Sequence, residues 1–311
     1  MKYISLLFSL LFSTLGGTAQ VSPTADSLAQ AGADNPENSL LWEISGRDLS
    51  EPSYLYGTIH MIGNDDFFLT KATEKAFDRS ERVAFEIDLK EMNNLGTMLS
   101  LIGSSMMDGG TRLRDLLSEE DYKMVDAHFQ KVGMPLMLFE RVKPMFLSAM
   151  SAGEGGGLQS GKVKSYEMEF MKMAEPDQLE TAGLETIEYQ MSIFDSIPYP
   201  VQAEMLVESI RSEENTDSDQ FAEMVRLYKA QDLEGMQAMF EDEEGGLGEY
   251  EDVMLNNRNR NWIPVMEKMM REKVTFFAVG AGHLGGDAGV VALLRAEGYT
   301  LRPLREWPEE K

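Results

Sequence analysis

Residues 274–304 read VTFFAVGAGHLGGDAGVVALLRAEGYTLRPL, and this stretch predicts a complete strand–helix–strand unit. Its beginning is β-branched and aromatic, which is typical of a buried strand. A Gly-x-x-His tetrapeptide, Gly280–His283, comes next, followed by an acidic, glycine-containing loop and a helix predicted over Ala288–Glu297. The segment Tyr299–Leu304 closes the unit as a second strand. Because ligands collect at the carboxyl ends of strands in open α/β sheets, the histidine of this tetrapeptide is a candidate functional residue.

The first quarter of the chain repeats this order. An apolar strand ends in a second Gly-x-x-His, Gly57–His60, and a helix predicted over Thr70–Arg79 and an alternating strand over Arg82–Leu89 follow. The segment between about residues 90 and 270 is mainly helical in pattern, with a short strand ending at Gly183. We therefore predict an α/β fold. We expect a single domain with a central mixed β-sheet built from the two β-α-β-like units, and with the helical middle insertion packed on that sheet.

The N-terminus has the pattern of a signal peptide. A positive Lys2, an apolar stretch of about a dozen residues and small residues before Gln20 predict a signal peptide over residues 1–19. Small and polar residues predict a flexible linker over 20–38. The remaining residues, 39–311, are expected to form one domain. The sequence thus favours an exported protein, periplasmic or secreted, with no membrane-spanning segment in the mature chain.

The composition excludes several kinds of site. The chain of 311 residues has no cysteine and only three histidines, so a thiolate nucleophile, an iron–sulfur cluster and a Cys-ligated zinc are ruled out. Its formal charge of −25 repels phosphate backbones, which makes nucleic acid a poor candidate partner. Any metal must therefore be held by His, Asp, Glu or backbone oxygen.

Two histidines and one carboxylate form the candidate site. His60 and His283 occur in the same Gly-x-x-His context, and side-by-side packing of the two units would bring their rings together. Glu86 lies within the predicted strand of 82–89, where burial of a carboxylate is costly unless it is paired or binds a metal. Two histidines and a carboxylate are a common metal-binding set. The alternative for Glu86 is the exposed face of an edge strand.

Four further residues have a structural explanation beside a functional one. Arg258 lies in an acid-rich region and is a candidate for binding a substrate carboxylate or a developing oxyanion, but an ion pair within the fold is an equal alternative. Glu185 and Glu188 begin a predicted helix, where carboxylates favour the helix dipole and capping is the simpler explanation. His128 lies in a helix without the Gly-x-x-His context and is expected to be a surface or partly buried residue.

At this point the sequence resembles the TraB/GumN family, which also contains the Tiki-type membrane metalloproteases. The resemblance is carried by LWEISG, SYLYGTIHMIG, VAFEIDL, GLETIEYQ, RNRNW and the segment FFAVGAGHLGGDAGVVALLRAEGYTLRPL, which together span residues 41–304. It implies that His60, His283, Glu86 and Arg258 make the active centre. The chain departs from the family pattern around Lys164–Glu167, where the expected Gly-x-Asp is absent.

We therefore expect an exported divalent-metal-dependent hydrolase, with a peptide or protein as substrate and Mn²⁺ or Co²⁺ as cofactor. His60 and His283 are the expected metal ligands, Glu86 is a ligand or the general base, and Arg258 steadies the oxyanion. Two alternatives stay open. One is a metal-independent, esterase-like hydrolase that uses a histidine with Glu86, and the other is a non-enzymatic protein that binds a peptide, a polysaccharide or haem.

Overall fold

A six-stranded mixed sheet forms the centre of the computed structural model, which describes residues 35, 37–131, 133–154, 163–214, 219–241 and 250–306. The strands of this sheet are β1 Leu41–Ser45, β2 Ser53–Thr58, β4 Arg82–Phe85, β6 Glu180–Gly183, β7 Thr275–Gly280 and β8 Thr300–Pro303, in the order β6-β4-β7-β2-β1-β8. Two short strands, β3 Ile62–Gly63 and β5 Val163–Lys164, form a separate antiparallel ribbon. The predicted signal peptide and most of the predicted linker lie outside the described residues.

The described part of the chain contains twelve α-helices, some of which flank the sheet while those of the middle region pack mainly on one another. They are α1 Lys71–Asp78, α2 Leu95–Ser104, α3 Leu113–Leu116, α4 Glu119–Lys131, α5 Pro144–Glu154, α6 Tyr166–Ala174, α7 Ile187–Phe194, α8 Tyr199–Glu214, α9 Asp219–Ala230, α10 Leu233–Glu241, α11 Asn257–Glu272 and α12 Val290–Ala296. None of those helices has the length and apolar character needed to cross a bilayer.

The two strand–helix–strand units interleave within one sheet. Helix α1 connects β2 to β4, and helix α12 connects β7 to β8. Strand β7 lies between β2 and β4 and is parallel to both, with Thr58 opposite Gly280. Strand β1 is the antiparallel member, because it forms a hairpin with β2 and also pairs with β8. The prediction of an α/β fold with a mixed sheet is confirmed, and the two Gly-x-x-His segments leave neighbouring strands at the same end.

The buried apolar residues form two clusters. The first contains the sheet and its flanking helices, with a ring cluster in which Tyr56 lies 5.4 Å from Phe170 and 6.0 Å from Phe276, between ring centroids. The second belongs to the helices of the middle region and contains Phe129 and Phe146. Burying each such ring contributes about 1.5–3 kcal/mol. The middle region is therefore a core in its own right, and it also adds β6 to the edge of the central sheet.

The strand predicted over Arg82–Leu89 is shorter in the structure, where β4 ends at Phe85. Asp88 accepts a hydrogen bond from the Lys90 N–H and caps a 3₁₀ turn, which stops the extended conformation. A Cβ atom at Gly183 would lie 2.6 Å from the backbone nitrogen of Asp88, so only glycine permits this close approach of the two chains. Glu86 thus lies one residue beyond a strand, and its predicted mid-strand position was wrong.

Candidate active site

The two Gly-x-x-His segments bring their histidines to one place. A Cβ atom added to Gly280 would lie 3.5 Å from His60 Nε2 and 3.6 Å from His283 Cδ2, so the two rings are within about 7 Å of each other. The parallel pairing of β2 with β7 produces this proximity, because residues that follow neighbouring parallel strands emerge at the same edge. His283 is buried, and the side chain of His60 is 19% exposed.

Glu86 lies between the histidines and accepts three hydrogen bonds. Its Oε1 atom accepts from the Gly280 N–H at 3.0 Å, and Oε2 accepts from Gln190 Nε2 at 2.9 Å and from Arg258 Nη2 at 2.5 Å. Because β4 is flanked by β6 and β7, the side chain is not on an exposed edge strand, and only 13% of it is exposed. Of the two interpretations offered for Glu86, the exposed-edge alternative is wrong.

Arg258 holds two carboxylates at once. Besides Glu86 it binds Glu185, with Nη2 2.7 Å and Nε 3.0 Å from Glu185 Oε1. Its guanidinium also lies 4.9 Å from the centre of the Trp262 ring. A π-helical segment, Asp252–Asn256, precedes α11 and ends two residues before Arg258. Such segments are frequent at functional sites. Here Arg258 Nη1 donates to the carbonyl of Met254, inside this segment.

The hydrogen bonds around His283 determine its tautomer. Arg258 Nη1 lies 3.1 Å from His283 Nε2, and a guanidinium can only donate, so Nε2 carries the lone pair. The proton is therefore on Nδ1, which donates to Asn259 Oδ1 at 2.6 Å. The Asn259 amide is itself fixed, because its Nδ2 donates to the Ala288 carbonyl. His283 is thus a neutral ring held in one orientation.

His60 has a different partner. Its Nδ1 lies 2.9 Å from Oε1 of Glu167, a residue on the first turn of α6. An ionised carboxylate only accepts hydrogen bonds, so Nδ1 carries the proton here too and Nε2 faces Gly280. The carboxylate of Glu167 also accepts from the hydroxyls of Thr58 and Ser165, each at 2.7 Å. Each histidine therefore directs Nε2 inward, one held by a carboxylate and the other by an amide.

The electrostatic environment separates the two histidines. Burial, followed by the charge of Arg258, lowers the pKa of His283 to about 3. Burial would also lower the pKa of His60, but the charge and hydrogen bond of Glu167 outweigh it and raise the pKa above its usual value. For Glu86, burial is outweighed by Arg258 and both histidines, which hold its pKa well below the ordinary range. The site thus contains an ionised carboxylate, a neutral imidazole and a more basic imidazole.

Glu185 was expected to cap a helix, and the structure corrects this. The N-cap of α7 is Thr186, whose hydroxyl accepts from the Tyr189 N–H. Glu185 faces the site, where Oε2 accepts from Trp262 Nε1 at 2.8 Å in addition to the bonds from Arg258. Burial and the neighbouring Glu86 raise its pKa despite the arginine. Arg258 does form ion pairs within the fold, and its partners Glu86 and Glu185 both belong to the site. The ion-pair interpretation and the site interpretation of Arg258 are therefore compatible.

Three other residues of the site were not singled out from the sequence. They are Glu167, Gln190 and Asn259. Glu167 belongs to the segment that departs from the family pattern, and Gln190 and Asn259 lie inside the quoted GLETIEYQ and RNRNW segments, which are the one signal that pointed to them. His128 lies apart from these residues, buried in α4 against Phe129, and so is more buried than expected.

The donor atoms are of the types that bind divalent cations, but they are not arranged as a ligand set. Within the ranges that the structure describes, no group of three or more His, Asp or Glu side chains is spaced to hold a metal ion. The guanidinium of Arg258 instead bonds to His283 Nε2 and Glu86 Oε2, two of the atoms that a cation would need.

Comparisons with known proteins relate the chain to peptidases. It is 23% identical to Metalloprotease TIKI1 of Danio rerio over 318 residues, which cover 85% of this chain and 63% of that protein. It is 23% identical to Metalloprotease TIKI1 of Homo sapiens over 332 residues, 88% of this chain and 65% of that one. The chain thus spans less than two thirds of the length of these curated relatives.

A shorter match, 32% identical over 96 residues, covers 30% of this chain and 19% of a Metalloprotease TIKI homolog of Nematostella vectensis. No solved structure matches the chain. The model of the TraB/PrgY/gumN family matches residues 40–303, which include both strand–helix–strand units and the middle region between them. The chain therefore belongs to the TraB/PrgY/gumN family.

Proposed function

We propose that this chain is an exported, divalent-metal-dependent hydrolase that cleaves peptide bonds in a peptide or protein substrate. The observation that carries the proposal is the convergence of His60, His283, Glu86 and Arg258 at the carboxyl ends of three parallel strands. The relatives named metalloprotease support the reaction class. The domain assigned to this function is residues 39–311, after a signal peptide over 1–19 and a linker over 20–38.

The chemistry of the donor set supports a metal. Both imidazoles have Nδ1 bonded to an outer partner and Nε2 directed inward, which is the usual arrangement of histidines that bind metals. His60, His283 and Glu86 are the residues that would hold the ion, Mn²⁺ or Co²⁺. When bound, such an ion polarises a carbonyl group and makes water a usable nucleophile near neutral pH.

The chain's own residues have roles that follow from their charges. Glu86 is ionised and can bind a cation or accept hydrogen bonds, whereas the neutral His283 supplies a lone pair. Arg258 carries a fixed positive charge in a buried setting, where it stabilises negative charge that develops on a carbonyl oxygen. Glu185 and Trp262 keep that guanidinium in place.

The test combines metal analysis with hydrolysis of a peptide library. Purified mature protein is expected to contain or bind Mn²⁺ or Co²⁺ and to cleave peptides, and His60→Ala and His283→Ala are each expected to lower the rate at least about 100-fold. His128→Ala is the matched control, since it removes the third histidine, which like His283 is buried but lies outside the site. Unchanged metal content and unchanged activity in both site variants would refute the proposal.

The contacts of Arg258 favour a second candidate, a metal-independent hydrolase. A guanidinium that already bonds to His283 Nε2 and Glu86 Oε2 opposes a second cation at the same place. In this candidate, His60 and Glu86 form an acid–base pair that acts on an ester. Activity on ester substrates that survives exhaustive chelation would favour it, whereas activity that is lost and then restored by Mn²⁺ favours the metal-dependent proposal.

A further inference from the structure

Glu167 has a largely buried carboxylate to which the proposed function assigns no role. It accepts from His60 Nδ1 and from the hydroxyls of Thr58 and Ser165, and its side chain is 17% exposed. In the part of the chain that is described, no lysine or arginine forms an ion pair with it. Withdrawing a carboxylate from water without a cation costs free energy unless hydrogen bonds compensate. Its partners are thus one imidazole and two hydroxyls.

The fold places Glu167 beside His60 by a specific device. The two residues are 107 positions apart in the sequence, but the chain after His60 forms β3 and the chain before Glu167 forms β5. These strands pair with each other, with Ile62 opposite Lys164. Ser165 then caps α6 by accepting from the Met168 N–H, which fixes the first turn that carries Glu167. The pairing of β3 with β5 therefore holds His60 and Glu167 next to each other.

The partner of His60 has a defined chemical effect. A carboxylate beside Nδ1 requires the proton on that nitrogen, which leaves the lone pair of the neutral ring on Nε2, close to Gly280 and Glu86. Asn259 does the same for His283, but as a neutral amide. Without a partner, either nitrogen of an imidazole can carry the proton. The identity of the partner, and not the Gly-x-x-His motif, thus distinguishes the two histidines.

We infer that Glu167 is a positioning residue that holds the His60 ring in one orientation and one tautomer, with Nε2 presented to the site shared with Glu86 and His283. The effect of Glu167 on activity rests on the proposed function. Its effect on the orientation and tautomer of the His60 ring does not. The positioning of His60 also gives a role to the segment Lys164–Glu167, which departs from the family pattern in sequence.

The first test is spectroscopic and needs no activity. Long-range ¹H–¹⁵N spectra of the purified chain at alkaline pH report which nitrogen of the neutral His60 ring carries the proton. In the wild-type protein we expect a single tautomer with Nδ1 protonated, and in Glu167→Ala a mixture of both tautomers. Glu167→Gln gives His60 an amide partner like that of His283 and is expected to keep the single tautomer. A wild-type ring protonated on Nε2 overturns the inference, whichever variants fold.

The second test is kinetic. Loss of an outer partner of a ligating or catalytic histidine typically costs 10–100-fold in activity or metal affinity, and we expect a loss of this size in Glu167→Ala. Glu169→Ala is the matched control on the same helix, because Glu169 pairs with Lys172 and Lys164 instead of a histidine. Equal losses in the two variants, or an unchanged ring tautomer in Glu167→Ala, overturn the positioning role. An inactive wild-type protein with the expected tautomers instead refutes the proposed function alone.

Discussion

Replacing Arg258 with methionine removes a guanidinium that pairs with both Glu86 and Glu185. The side chain of Arg258 is 7% exposed, and those of its carboxylate partners are 13% and 5% exposed. After the substitution both carboxylates stay buried, and neither has another lysine or arginine partner among the described ion pairs. Breaking a buried pair by removing one partner costs about 3–5 kcal/mol. We expect the free energy of unfolding to fall by that amount at pH 7.

Arg82 provides the matched control. Its side chain is also 7% exposed and also binds two carboxylates, but Glu180 and Glu272 are 42% and 45% exposed. When Arg82→Met removes the cation, water solvates both partners, so the expected cost is about 1 kcal/mol or less. The two variants thus make the same change at equally buried arginines and differ in the burial of the partners.

Urea unfolding followed by circular dichroism measures both variants. The burial argument requires Arg258→Met to be at least about 2 kcal/mol less stable than Arg82→Met. Loss of Arg258 also raises the pKa of the two carboxylates in the folded state above their unfolded values, so the folded state binds more protons and the penalty shrinks as the pH falls. Equal destabilisation of the two variants, or a penalty that grows toward pH 5, would show that the reasoning is wrong.

Three further predictions concern the strand ends. The wild-type protein is expected to lose its stability advantage over His283→Asn as the pH drops from 6.5 toward the folded pKa of about 3. In this range only the unfolded chain takes up the proton, so the advantage falls by up to about 1.4 kcal/mol per pH unit. Urea unfolding at several pH values measures this change. Gly57→Ala places a Cβ atom 2.9 Å from Leu284 Cδ2 and is expected to lower the free energy of unfolding by about 1–3 kcal/mol, measured with heat or urea. The control is Gly103→Ala in α2, whose Cβ atom meets nothing within 4 Å and is expected to stabilise the protein by up to about 1 kcal/mol. Gly280→Ala is expected to lower peptide hydrolysis more than stability, because its Cβ atom would lie within 3.5 Å of atoms of two site residues.

The sequence was sufficient for the sheet because its strands are strongly patterned. The runs through Tyr56 and Phe276 are apolar and end in glycine, and the structure pairs them as neighbouring parallel strands. The ends of β4 were harder to predict. The alternation of Arg82–Leu89 continues past Phe85, and the strand stops because Asp88 caps a turn and Gly183 packs against it. The cap is a local bond to Lys90 and the Gly183 contact comes from another segment, and the apolar–polar alternation records neither of them.

The site was predictable where a motif carried it. His60, His283, Glu86 and Arg258 were found from their contexts and from the family resemblance, and the structure brings them together. Glu167 was not found, because a single glutamate in an acidic helical region has no local signal. Its function in the site depends on the pairing of β3 with β5, two strands of two residues each. Such short strands are below the length at which alternation can be recognised.

The division of the site between sheet and insertion explains why two equal motifs give unequal histidines. The repeated strand ends fix where His60 and His283 lie, and by symmetry they would have the same chemistry. The middle region removes that symmetry, because it supplies a carboxylate to His60 and a guanidinium to His283. At His60 the charge and hydrogen bond of Glu167 outweigh burial and raise the pKa, whereas at His283 burial, followed by the charge of Arg258, lowers it. A change in the middle region can alter the chemistry of this site without changing either Gly-x-x-His motif.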